Sequence, residues 1–191
     1  MLQASHIPNL ICVLRIALVV PIVVMLLRGD FFTALLLIFV AGFSDGLDGF
    51  LAKRFDWRTR LGGYLDPLAD KLLLMVVMVT LTSLGLVPLW LTLVVIGRDV
   101  VIVSGAVAYH FLIGTLTASP TGISKLNTAL QLLYILLVIA QQAFAMPPDI
   151  AFAMPPDIIV ITAGAGVFLT SVVSGIDYVL RWGRKAVTAT A

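Results

Sequence analysis

Six long apolar runs constrain the fold of this 191-residue chain more than any other feature. Hydrophobic residues make up 61% of the sequence and charged residues only 12%, which gives a mean hydropathy of +1.12. This composition excludes an ordinary soluble domain, and about 20 apolar residues suffice for one membrane helix. Glycine and proline clusters separate the runs and predict helices over 8–27, 32–54, 63–85, 88–112, 122–146 and 159–182. The predicted fold is therefore all-α: an integral membrane bundle of six transmembrane helices in a single domain, 1–191.

The basic residues divide unevenly among the predicted loops, and this predicts the orientation in the bilayer. The fifth loop carries only the acids Asp149 and Asp157. The second loop and the C-terminal tail carry most of the cations, namely Lys53, Arg54, Arg58, Arg60, Arg181, Arg184 and Lys185. By the positive-inside rule, the even loops and both termini face the cytoplasm. The net charge of +2 is too small to suggest a nucleic-acid partner.

An eight-residue segment, 143–150, recurs unchanged as 151–158. A period that appears only twice is not a solenoid. We interpret it as a local duplication that lengthens the fifth loop, where extra residues cost little free energy.

Four aspartates stand in or beside these apolar runs. Asp45 and Asp48 are three positions apart on the second predicted helix, and Asp66 and Asp70 are four apart on the third. Spacings of three and four put side chains on one helical face. A short loop joins the two helices, so their acid-bearing ends are expected to meet at the cytoplasmic side.

Carboxylates at membrane depth are costly unless they are paired, neutralised or bound to a metal. Oxygen ligands of this kind suit Mg²⁺, Mn²⁺ or Ca²⁺ rather than zinc. Two other interpretations remain open from the residues alone. The acids could be solvated interface residues, or they could line the ion path of a small membrane transporter.

The stretch from Asp45 to Asp70 resembles the signature of the CDP-alcohol phosphotransferase family, Asp-x2-Asp-Gly-x2-Ala-Arg-x8-Gly-x3-Asp-x3-Asp. The residues that fall on it with correct spacing are Asp45, Asp48, Gly49, Ala52, Gly62, Asp66 and Asp70. Lys53 stands where the family has arginine, which keeps the charge but loses the bidentate fork.

The resemblance implies a metal-dependent phospholipid-synthesising transferase. It implies that Asp45, Asp48 and Asp66 hold one Mg²⁺ or Mn²⁺ ion, that Asp45, Asp66 and Asp70 hold a second, and that Asp70 is also the catalytic base. It further implies that CDP-diacylglycerol is bound by Gly49, Ala52, Lys53 and Gly62. Members of the family commonly form homodimers.

Further segments resemble the cardiolipin-forming branch of the family, which transfers the phosphatidyl group to phosphatidylglycerol and releases CMP. They are Ile7–Leu10 with Arg15, Leu65–Lys71, Arg98–Val100, Ile123–Ala129 with Gln131, and Gly183–Lys185. The branch that uses glycerol 3-phosphate shares the first half of this set. A mitochondrial member is expected to carry a transit peptide, and none is visible here, which favours a bacterial plasma membrane with the active site facing the cytoplasm.

A phospholipid acceptor needs cationic partners for its phosphodiester, and Arg98 and Lys125 are the candidates because they interrupt apolar helices. The alternatives are that Arg98 pairs with an aspartate inside the bundle and that Lys125 extends to the interface. Asn127 and Gln131 could simply form hydrogen bonds between helices.

Overall fold

The described part of the chain consists of long helices. The computed structural model describes residues 7–54, 60–112, 122–144 and 156–190, with side chains for 13–44, 71–105, 122–144 and 158–180. In this part of the chain there are six helices and no strand. The helices are α1 (Ile7–Leu27), α2 (Phe31–Arg54), α3 (Arg60–Ser83), α4 (Leu89–Leu112), α5 (Gly122–Ala143) and α6 (Pro156–Thr190). The all-α prediction is confirmed.

The helix boundaries agree closely with the prediction except at the end of α6, which continues to Thr190 rather than stopping at 182. Arginine, lysine and alanine are good helix formers, so the helix continues past the end of the apolar run. The apolar run indicates the extent of a membrane segment rather than that of the helix. Most of the duplicated segment, residues 145–155, lies outside the described residues.

Two glycines end helices by adopting a left-handed conformation. Gly29, at φ 77°, follows α1, and Gly85, at φ 75°, follows α3. After α1, Gly29 N donates to Leu26 O and Asp30 N donates to Met25 O, both at 3.0 Å. This pair of bonds is the Schellman motif, in which glycine supplies the positive φ that other residues rarely adopt. Asp30 then caps α2, because its Oδ1 accepts from Thr33 N at 3.1 Å.

The helices group into two compact units. The first comprises Met1–Val87 with Ile135–Ile150, and in it α1 packs against both α2 and α3. The second comprises Pro88–Tyr134 with Ala151–Ala191, and in it α4 packs against α6. The single domain over 1–191 stays a prediction.

Within the second unit, α4 and α6 run parallel and α5 runs antiparallel to them. A Cβ at Gly164 would lie 3.6 Å from Leu91 Cδ2, and a Cβ at Gly175 would lie 3.8 Å from Arg98 Cγ. Both are ordinary contacts, and they occur in the same order along α4 and α6. Further along both helices, a Cβ at Gly105 would lie 3.0 Å from Tyr178 Cε1, so the helices approach closely there. Small residues allow such approach between membrane helices.

All six helices are long enough to cross a bilayer. The shortest, α1, has 21 residues and is therefore about 31 Å long, against a hydrocarbon core of about 30 Å. Among the described residues, Gly122–Ala143 and Ile158–Leu180 are both long and apolar enough to be membrane spans by composition. The six-span topology and the cytoplasmic termini stay predictions.

Candidate active site

The buried stripe of α2 continues toward the first pair of aspartates. Ala34, Ile38 and Ala41 are buried, at successive spacings of four and three. The helix continues unbroken to Arg54, and the next steps of four and three lead to positions 45 and 48. Asp45 and Asp48 therefore occupy register positions on the stripe that forms the core of this unit.

The same relationship holds on α3 in the opposite direction along the chain. Leu81, Val77 and Leu74 are buried. Continuing backwards in helical steps of four leads to positions 70 and 66, which the same helix contains. Both acid pairs thus extend buried stripes on two helices that pack against α1.

On α1 the corresponding stripe includes a cation. Leu26, Ile22 and Val19 are buried at helical spacing, and the next position in the series is Arg15, only 1% exposed. Three residues join α1 to α2, so the helices are antiparallel and Arg15 lies level with Phe43, about half a turn before Asp45. Arg15 therefore brings a buried guanidinium to the level at which the acid-bearing segment of α2 begins.

The side chains of residues 45–70 lie outside the described set, so the predicted metal ligands and the CDP-diacylglycerol residues Gly49, Ala52, Lys53 and Gly62 are placed only by helix and register. Four carboxylates on core stripes are a donor set that fits hard divalent cations. Elsewhere, the side chains that the structure describes include no group of three or more His, Cys, Asp or Glu residues that could hold a metal.

The second unit contains a buried polar cluster centred on Arg98. Its Nη1 donates to Asp99 Oδ1 at 2.6 Å, and both side chains are buried. Nε and Nη2 donate to Ser174 Oγ at 3.2 and 2.6 Å, and Nη2 also donates to Ser124 Oγ at 2.7 Å. Arg98 therefore joins α4 to both α5 and α6. It also pairs with an aspartate, which was one of the two interpretations of Arg98 drawn from the sequence.

A second group of hydrogen bonds extends this cluster along α5 and α6. Asn127 Oδ1 accepts from the hydroxyls of Thr170 at 2.8 Å and Ser171 at 2.9 Å. Asn127 is fully buried and Gln131 is 3% exposed. The expectation that Asn127 forms hydrogen bonds between helices is confirmed. Its Nδ2, by contrast, is buried with no hydrogen-bond partner in the part of the chain that the structure describes.

The two predicted acceptor-binding cations differ in their surroundings. Arg98 is buried, whereas Lys125 is exposed in the first turn of α5. Their acceptor-binding role stays a prediction. The serine and threonine partners on α6 were not singled out from the sequence, although Thr170, Ser171 and Ser174 share one helical face at spacings of one and three. That polar stripe in an apolar run was the available signal.

The described residues form helices, and the four signature aspartates stand at register positions on α2 and α3, both of which pack against α1. The chain belongs to the CDP-alcohol phosphatidyltransferase family, whose sequence model matches residues 5–175.

Three curated relatives show the range of this similarity. The chain is 36% identical over 154 residues to a human cardiolipin synthase (CMP-forming), which covers 72% of this chain and 51% of that protein. It is 40% identical over 99 residues to the cardiolipin synthase (CMP-forming) of Streptomyces coelicolor, and this match covers 49% of this chain and 46% of that protein. It is 41% identical over 104 residues to a CDP-diacylglycerol–glycerol-3-phosphate 3-phosphatidyltransferase of Pseudomonas fluorescens, 51% of this chain and 52% of that one. The chain spans about half the length of these relatives.

Proposed function

We propose that this chain transfers the phosphatidyl group of CDP-diacylglycerol to phosphatidylglycerol, giving cardiolipin and CMP in a bacterial plasma membrane. The observation that carries the proposal is the complete set of signature aspartates on α2 and α3, at positions that continue the core stripes of both helices. The extended similarity to cardiolipin synthases favours phosphatidylglycerol as the acceptor.

The reaction divides among the chain's own residues as follows. Asp70 removes the proton from the acceptor hydroxyl, whose oxygen attacks the β-phosphorus of CDP-diacylglycerol. The bond from that phosphorus to the bridging oxygen breaks, and CMP leaves with the electron pair. Lys53 binds the diphosphate, while Gly49, Ala52 and Gly62 leave room for the nucleotide. Arg98 and Lys125 bind the acceptor.

Asp45, Asp48, Asp66 and Asp70 would hold two Mg²⁺ or Mn²⁺ ions. Cations bound there neutralise the diphosphate and stabilise the departing CMP. The active site then faces the cytoplasm, in agreement with the basic residues around the second loop.

A second candidate is the synthesis of phosphatidylglycerophosphate from glycerol 3-phosphate. The observation that favours it is the 41% identity to the Pseudomonas fluorescens enzyme, over 51% of this chain. The two candidates share the donor and the four aspartates and differ only in the acceptor. A small transporter, the non-enzymatic alternative, accounts for neither the signature nor the family match.

Purified protein in nanodiscs, supplied with CDP-diacylglycerol and Mg²⁺ or Mn²⁺, separates these candidates by CMP release. We expect release with phosphatidylglycerol and little with glycerol 3-phosphate. CMP release with glycerol 3-phosphate but not with phosphatidylglycerol would establish the second candidate. If folded protein released no CMP with either alcohol, the enzymatic proposal would be refuted. As a control, Asp70→Asn is expected to bind CDP-diacylglycerol yet to lose turnover by about 100-fold or more, as for other general bases.

A further inference from the structure

Arg15 is a buried charge that the chemistry proposed above does not use. It is only 1% exposed, whereas Val13 and Leu14 beside it on α1 are exposed. The guanidinium therefore belongs to the one face of this turn that packs into the helix bundle. Arginine is almost never fully buried unless it is paired, so this charge calls for an acidic partner in the core.

The packing of α1 on α2 brings the register position of Asp45 within reach of this guanidinium. Arg15 lies level with Phe43, and position 45 is two residues, or about 3 Å, further along the axis of α2. Helical side chains lean toward the N-terminus of their own helix. Because α1 and α2 are antiparallel, Arg15 leans in the direction in which α2 runs from Phe43 to Asp45. Packed helices lie about 8–10 Å apart, and arginine has a long side chain to cross that distance.

The packing of α1 on α3 leads to Asp70 in the same way. Both helices have a core stripe with successive spacings of four, three and four: Arg15, Val19, Ile22 and Leu26 on α1, and position 70 with Leu74, Val77 and Leu81 on α3. Each stripe ends within two residues of the end of its helix, and the two helices pack against each other. Arg15 and Asp70 therefore occupy corresponding places in the two stripes.

The acid at the other end of α2 does not provide the partner. Asp30 is exposed and caps the start of the helix through its bond from Thr33 N. It stands fifteen positions before Asp45, which is about 22 Å along the helix axis. The signature acids are the carboxylates of this unit that the helix register brings to the level of Arg15.

We infer that, in the metal-free protein, the Arg15 guanidinium pairs with the carboxylates of Asp45 and Asp70 and so competes with divalent cations for these ligands. The inference rests on the proposed function, because it takes the signature aspartates as the metal ligands. A positive charge beside the site opposes the binding of another, so Arg15 weakens the affinity of the empty enzyme for the metal.

The same charge makes metal binding depend on the donor. Two divalent cations by themselves match the charge of the four carboxylates, so the guanidinium leaves the loaded site positively charged. The anionic diphosphate of CDP-diacylglycerol removes that excess. Arg15 therefore favours binding of the cations together with the donor over their binding to the empty enzyme, which is a positive coupling free energy between the two ligands.

Mn²⁺ binding to the protein in phosphatidylcholine nanodiscs, without donor or acceptor, tests the inference apart from turnover. Electron paramagnetic resonance of free Mn²⁺ gives the Kd. We expect Arg15→Met to lower that Kd by about tenfold, which corresponds to about 1.4 kcal/mol. Arg15→Lys keeps the charge, and Val20→Met changes an exposed residue of the same helix, so both should stay within about twofold of the wild type. With CDP-diacylglycerol present, the difference between Arg15→Met and the wild type should shrink. An unchanged or raised Kd in Arg15→Met without donor overturns the inference.

A double-mutant cycle identifies the partner of the guanidinium. In EDTA, Arg15→Met should lower the melting temperature of the wild type by more than that of Asp45→Asn or Asp70→Asn, because paired residues have non-additive effects. If Arg15→Met alone does not fold, folded protein should be recovered in one of these two backgrounds. Additive effects with both aspartates, or no recovery with either, assign Arg15 to another partner and overturn the inference.

Failure of the proposed function gives a different result. In that case the wild type releases no CMP with either alcohol and binds no Mn²⁺ with or without the donor. Wild-type turnover together with additive effects of the variants refutes the role of Arg15 alone.

Discussion

Arg98 Nη2 donates to Ser174 Oγ at 2.6 Å, across 76 positions of the chain. The same serine oxygen also accepts from Arg98 Nε at 3.2 Å, so one hydroxyl receives two N–H groups of the guanidinium. Hydrogen bonds between a charged donor and a buried hydroxyl are stronger than neutral ones. This contact therefore contributes to holding α4 and α6 together in a segment where apolar packing alone is weakly directional.

Removing that hydroxyl is expected to destabilise the second unit. Ser174→Ala leaves two N–H groups of a buried guanidinium without an acceptor, at a cost of about 1–3 kcal/mol. Thermal unfolding in detergent, followed by tryptophan fluorescence, measures the change. Ser104→Ala is the control because Ser104 is exposed and bonds only the carbonyl of Val101, at 3.3 Å. Equal stabilities for the two variants would contradict the importance of the Arg98–Ser174 bond.

The Arg98–Asp99 pair permits a test that separates structure from acceptor binding. Arg98→Met breaks the buried salt bridge to Asp99, and we expect a loss of about 3–5 kcal/mol in stability. The double variant Arg98→Met/Asp99→Leu should recover most of that loss, because both charges of this pair are then removed.

The recovered double variant then reports on the role of Arg98 in binding. If Arg98 binds the acceptor, the double variant should have a KM for phosphatidylglycerol at least about tenfold above the wild-type value. The affinity of the double variant for CDP-diacylglycerol should be unchanged. A stable double variant with wild-type KM would show that the role of Arg98 is structural.

Arg15 is expected to make stability depend less on divalent cations. With no metal bound, the four carboxylates repel one another, and the buried guanidinium on α1 offsets that repulsion. In Arg15→Met the melting temperature should fall further in EDTA than in saturating Mg²⁺, because bound cations replace the missing charge.

The control for this experiment is Val20→Met, which changes an exposed residue of the same helix. It should shift the melting temperature little, and equally under both conditions. If Arg15→Met lowers the melting temperature by the same amount with and without Mg²⁺, the charge of Arg15 does not compensate for an absent metal ion.

The α1–α2 turn carries a carboxylate whose titration differs between folded and unfolded states. The side-chain and backbone hydrogen bonds from Thr33 hold the pKa of Asp30 below its usual value. A depressed folded-state pKa stabilises the fold above the unfolded pKa, and this contribution is lost as the pH falls through the folded pKa.

In the acid range, the free energy of unfolding should therefore depend less on pH in Asp30→Asn than in the wild type. Asparagine keeps the cap but does not titrate. NMR titration of ¹³C-labelled aspartate, with Asp30→Asn used to assign the resonance, measures the pKa directly. A midpoint at or above the ordinary aspartate value would show that the capping bonds do not persist in solution.

Much of the fold followed from local sequence signals. The breakers at Gly29 and Gly85 marked helix ends because only glycine adopts their positive φ without strain, and apolar runs predicted the helices between them. The four aspartates were recognisable from spacing alone, since helical periodicity requires no tertiary information. The family match over residues 5–175 agrees with that interpretation.

Other features depended on which helices become neighbours. Apolar periodicity could not show that α1 packs against α2 and α3, because nearly every face of these helices is hydrophobic. The buried state of Arg15 and the joint role of Ser124 and Ser174 as acceptors for Arg98 were therefore not predictable from spacing.

The sequence by itself determined the six described helices, most of their boundaries, the signature acids on α2 and α3, and the family. These properties are local, because they depend on residue type and on a repeat of about 3.6 residues per turn. Only the tertiary structure decided that Arg15 lies in the buried stripe of α1, and that Arg98 pairs with Asp99 and bonds serines on two other helices. Such contacts join residues far apart in the chain, and in uniformly apolar helices it is the few polar groups that have to find partners.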